Sequence, residues 1–111
     1  MGESLNAAKE AINGVIEIVK SESSISEDLR RDFLTRLQFA LNTLIQNERK
    51  IWLRTKAGKE MLGGFGESTE KLLDVVRSDP GPGEIGTALA DVELHAKSID
   101  EETRRREMVV T

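Results

Sequence analysis

At 111 residues the chain is long enough to bury one usable core and too short for two domains. Hydrophobic residues at 38%, charged residues at 32% and a mean hydropathy of −0.37 exclude a disordered tail, and nothing approaches the roughly 18 consecutive apolar residues that a membrane span needs. With no Cys there is no disulfide framework, thiolate nucleophile or Cys-based zinc site, and the absence of Tyr with only 4% aromatics speaks against a sheet-rich fold.

The net charge of −4 is unevenly spread. Residues 1–28 hold two basic and six acidic side chains, residues 29–59 eight and two, and residues 60–111 six and twelve. A basic block thus lies between two acidic ones, suited to self-complementary packing or to an anionic partner. The opening Met1-Gly2-Glu3-Ser4-Leu5-Asn6 lacks a basic segment followed by an apolar run, so a cytoplasmic protein without a secretory signal is expected.

In chain order, Leu5, Ala8, Ile12, Val15 and Val19 recur at steps of three and four, with Ile16 widening the stripe, and predict an amphipathic helix over 4–22. Gly14 interrupts its propensity but not its phase, which points to a neighbouring helix approaching closely there. Ser21-Glu22-Ser23-Ser24 ends the stripe as a turn. A second helix then starts at Ser26, or from a capping box at Ser24, with Glu27 and Asp28 in the favourable first turn.

Leu29, Phe33, Leu34, Leu37, Ala40, Leu41, Leu44, Ile45, Ile51 and Trp52 fall on one broad face and predict a long helix over 26–57. Glu48 falls where an apolar residue is due. A continuous helix carrying Glu48 at an interface is the expectation, and a bend near Asn47 the alternative. Gly58, Gly63, Gly64 and Gly66 predict that helical order stops near Gly58 or Gly63. Leu72, Leu73, Val75 and Val76 give a short helix over 68–78, and Asp79-Pro80-Gly81-Pro82-Gly83 a loop over 79–83. Ile85, Ala88, Leu89, Val92, Ala96 and Ile99 predict a last helix over 84–106, with Arg104, Arg105 and Arg106 complementing the dipole at its end.

Motifs for chemistry are weak. His95 is the only histidine, sits on or beside the apolar stripe, and has no second His or Cys with which to hold a metal. The serines at 21–26 read as turn and cap, and Glu101-Glu102 as a solvated helix surface. Gly63-Gly64-Phe65-Gly66 precedes a helix, but no strand comes before it, and Glu67 and Glu70 would repel a phosphate. Arg49, Lys50, Trp52, Arg54, Lys56 and Lys59 form the one segment with a functional signal, because cations around a single Trp suit phosphate contact and stacking. Trp52 also continues the apolar stripe, which makes it a core or interface anchor.

The expected architecture is all-α: an antiparallel bundle of three or four helices around the long second helix, forming one helical domain. A helix of about 30 residues, or roughly 45 Å, presents more apolar face than three shorter helices cover, so a homo-dimer or higher oligomer is expected. The expected function is a non-enzymatic protein–protein interaction module, of adaptor, inhibitor or immunity type, with a protein partner, no cofactor, no metal, no catalytic residue and no membrane association. The alternative is nucleic-acid or anionic-surface binding through residues 49–59.

Overall fold

The computed structural model describes residues 2–109 apart from 24, 79 and 80, with the side chains of 2–5, 82 and 109 also left out. Four helices account for nearly all of it: α1 (Gly2–Ser21), α2 (Glu27–Asn47), α3 (Lys56–Arg77) and α4 (Pro82–Val109), with a short 3-10 turn, Ile51–Arg54, between α2 and α3. Among the described residues there is no strand, and no helix is long and apolar enough to cross a membrane. The all-α expectation therefore holds.

The first turn follows the sequence closely. Ser26 caps α2, its Oγ accepting from the Leu29 amide at 3.3 Å, with Glu27 and Asp28 in the first turn; the alternative cap, Ser24, lies outside the described residues. Arg30 adds what periodicity does not predict. Its guanidinium donates to the carbonyls of Lys20 and Glu22, both at 2.7 Å, and of Ile25 at 3.1 Å. One side chain thereby satisfies backbone acceptors at the end of α1 and through the turn that follows.

The helix expected over 26–57 is broken into α2, the 3-10 turn and the start of α3. α2 ends at Asn47, whose buried amide donates back to the Thr43 carbonyl at 2.8 Å, and the chain turns through 48–50. Glu48, misplaced on the stripe, instead leaves it and pairs with Lys9 of α1. The Asn47 bend is thus the correct alternative, because a carboxylate due in the core is better satisfied by turning out to a lysine.

The glycines are also reassigned. α3 runs unbroken from Lys56 through Gly58, Gly63, Gly64 and Gly66, so it starts well before the expected 68 and does not stop at Gly58 or Gly63. Leu62, Phe65, Ser68, Thr69, Leu72 and Val76 line its buried side, and tertiary burial of that face outweighs the low propensity of the glycines. Two of them are spare: β-carbons at Gly63 and Gly66 would meet nothing within 4 Å. Gly63→Ala and Gly66→Ala are each expected to stabilise the protein by about 0.5–1 kcal/mol, visible as a rise of a few degrees in the thermal midpoint. An unchanged or lower midpoint in both variants would mean that α3 is not helical at those positions.

α4 begins at Pro82, two residues before the expected start, since proline suits the first helical position and the Gly81 carbonyl accepts from the Glu84 and Ile85 amides. Residues 79 and 80 of the expected loop lie outside the described part.

The principal contacts join α1 to α3, α3 to α4, α4 to α2 and α2 to α1, which closes a ring around one core. Gly14 serves as expected. A β-carbon there would stand 3.4 Å from Leu73 Cδ1, so α1 and α3 approach at that point. Along α2 and α4, residue 36 meets 93 and residue 50 meets 107, so these neighbours run in the same direction. In such a ring α2 and α3 stand across a diagonal, and the chain from 48 to 55 crosses the end of the core to connect them.

Candidate functional site

The diagonal link carries the segment singled out by charge. Its geometry starts with Trp52 and Leu53, which the 3-10 turn points into the end of the core, leaving Trp52 only 8% exposed. The indole N–H donates to Thr103 Oγ1 at 2.8 Å, and that hydroxyl donates on to the Ile99 carbonyl at 3.0 Å. The Arg106 guanidinium covers the ring at 4.9 Å from its centroid, held by Glu102 at 2.9 Å. Trp52 is therefore an anchor fastening the link to α4, and its faces are not open for stacking a base.

α3 closes on the link from the other side. Thr55 caps it, accepting from the Gly58 amide at 3.2 Å, and donates to the Trp52 carbonyl at 2.6 Å. Gly58 lies directly against the turn: a β-carbon there would stand 2.3 Å from the Trp52 carbonyl oxygen and 2.4 Å from Leu53 Cα. Only a residue without a side chain permits this crossing.

Of the six residues singled out, the structure brings all onto this link and the first turn of α3, in different roles. Trp52 is buried. Lys50 pairs with Glu107 of α4, and Arg49, Arg54, Lys56 and Lys59 are exposed without an ion-pair partner among the described residues. Ile51, which the stripe assigned to the core, is instead 78% exposed in the middle of these cations. The apolar run 51–53 divides because the 3-10 turn sends Trp52 and Leu53 inward and Ile51 outward.

Beside the link, Ala57, Glu60, Gly64, His95, Glu102 and Arg106 border an open groove of about 480 Å³ between α3 and α4. His95 is half-buried, with Nδ1 2.9 Å from the Asp91 carbonyl, and a β-carbon at Gly64 would stand 3.2 Å from its ring. This is the packing role read from the stripe. Hydrogen bonding by Arg105 holds the Glu102 carboxyl below its ordinary range, with Arg106 adding to the effect. Glu102 thus stays ionised as the clamp on the last turns of α4. Among the described residues no group of three or more His, Asp or Glu side chains is placed to hold a metal ion.

Sequence reasoning missed Thr103, Arg106 and Glu107 as partners of this segment, since they lie more than 50 residues away along the chain. It also missed Thr55, whose cap signal, Thr55 three residues before Gly58, was masked by the apolar stripe. Compared with protein-family models, with curated proteins and with solved structures, the chain has no match.

Proposed function

We propose that this protein is a non-enzymatic helical interaction module that engages another protein through the link and first turn of α3, from Arg49 to Lys59. The observation that carries the reading is Ile51, 78% exposed among four cations that have no ion-pair partner among the described residues, on a backbone pinned by Trp52 and Gly58. An acidic partner with an apolar pocket fits this surface. Burying an Ile side chain contributes about 1.5–3 kcal/mol, and a pre-ordered segment loses little entropy on binding. The same reading takes the helices as a bundle whose consecutive members run in opposite directions, and the protein as a homo-oligomer.

Co-purification from the native source followed by mass spectrometry supplies the partner, and Ile51→Asp and Arg54→Glu/Lys56→Glu variants test the surface. Binding is expected to weaken at least tenfold in each, with thermal stability unchanged because all three side chains are exposed. A partner that binds the variants as tightly as wild type would place the site elsewhere. Nucleic-acid binding is the second reading, favoured by the same four exposed cations and disfavoured by the buried Trp52. A low-salt mobility shift that is abolished by the charge reversals and falls steeply with salt would move the assignment there.

A further inference from the structure

The middle of α3 carries two features that its packing does not call for. The first is glycine, the weakest helix former after proline. Gly58 and Gly64 are hemmed in by the link and by the His95 ring, whereas β-carbons at Gly63 and Gly66 would meet nothing within 4 Å. With Gly64 among them, only Phe65 in the stretch 63–66 is not glycine.

The second feature follows within a turn. Ser68 is 4% exposed and Thr69 0%, yet neither hydroxyl reaches another helix among the described residues. Ser68 Oγ donates to the Phe65 carbonyl and Thr69 Oγ1 to the Gly66 carbonyl, each at 2.8 Å. In an α-helix those two carbonyls are due to the amides of Thr69 and Glu70. Each therefore has a second donor on a side chain, and a lengthened amide bond does not leave it bare in the core. Glycines that ease bending and hydroxyls that keep the freed carbonyls satisfied converge on one stretch, 63–69.

The two halves of α3 that meet here are fastened to different parts of the bundle. The first, 56–62, holds the link, with Gly58 against Trp52 and Leu53 and the Thr55 hydroxyl capping the helix. Through Trp52 it is tied to Thr103 near the end of α4. The second, 70–77, packs on α1, with Leu73 against Gly14. Phe65, wholly buried, stands between the two and anchors the stretch in the core.

We propose that 63–69 is a hinge: α3 opens locally there, and its halves tilt relative to one another while Phe65 stays in the core. The link, with Lys56 and Lys59, rides on the first half. Ile51 and the cations beside it then shift as one body, set in angle by the hinge. The proposal rests on the construction of α3 and not on the binding role of residues 49–59.

Amide hydrogen exchange of the full chain, read residue by residue by NMR and corrected for intrinsic rates, tests it without a partner. The amides of 67–70 are due to the carbonyls of 63–66, and they are expected to exchange about tenfold faster or more than those of 72–75 in the same helix. Their exchange should be nearly flat in low urea while that of 72–75 rises, because local opening exposes little surface. Gly63→Ala/Gly66→Ala is expected to slow 67–70 by about fivefold or more. Ser68→Ala/Thr69→Val keeps the shape of the core and removes both spare donors. It is expected to slow 67–70 about fivefold relative to 72–75. Equal protection of the two sets in wild type overturns the hinge. Exchange of 67–70 unchanged by the glycine replacements, or not slowed relative to 72–75 when the hydroxyls are removed, overturns its assignment to these residues.

Discussion

Gly58→Ala is expected to lower the free energy of unfolding by about 3 kcal/mol or more, although the same exchange in an open stretch of helix gains about 1 kcal/mol. The added methyl group would stand 2.3 Å from the Trp52 carbonyl oxygen, 2.4 Å from Leu53 Cα and 2.7 Å from the Leu53 carbonyl carbon. All three are backbone atoms, so no rotamer change relieves the contact. α3 has to retreat from the link by about an ångström, and with it go the Thr55 cap and the packing of Trp52 and Leu53. Urea denaturation of Gly58→Ala beside Gly63→Ala is the clean comparison, since one helix then carries the same substitution with opposite expected signs. If Gly58→Ala matches wild type, the link does not cross α3 where it is described.

Trp52→Ala is expected to cost about 3–5 kcal/mol, the range for removing a buried aromatic side chain. Three losses combine: the apolar area of the indole, the hydrogen bond to Thr103, and the cation–π contact with Arg106. Trp52→Phe separates them, because it keeps most of the apolar area and gives up the N–H donor, and about 1–2 kcal/mol is expected. Thr103 stays satisfied in that variant through its bond to the Ile99 carbonyl. Ile51→Ala, next door but exposed, should fall within about 0.5 kcal/mol of wild type. Comparable losses for Ile51→Ala and Trp52→Ala would show that the inward and outward sides of the turn are misassigned.

The parts of this fold that local chemistry determines were legible in the sequence. Ser26 with Glu27 and Asp28 marks a helix start by hydrogen bonding within three residues, and Gly14 marks a close approach because its stripe keeps phase across it. The stripe failed where two elements follow one another across a polar gap, residues 46–50, whose length keeps the apolar period in step. Ile51, Trp52 and Leu53 extend the apolar count of α2, and periodicity cannot show that the intervening Asn47 and Glu48 turn the chain and restart its phase. The glycines of α3 misled in the opposite sense, since propensity is local while the burial of Phe65 and Leu72 that overrides it is not. For the candidate site, the charge block singled out residues 49–59. That Lys50 is paired and Trp52 sealed depends on Glu107, Thr103 and Arg106, brought there only by the return of α4.

The fastening of Trp52 beneath the last turns of α4 also makes the molecule its own spectroscopic probe. The chain has one Trp and no Tyr, so ultraviolet emission excited near 295 nm comes from a single indole, sealed by Arg106 and bonded to Thr103. Ellipticity averages over all four helices, whereas emission reports whether this one corner is closed. The two signals trace the same denaturation curve if the molecule opens in one step, and they separate if the end of α4 lifts first.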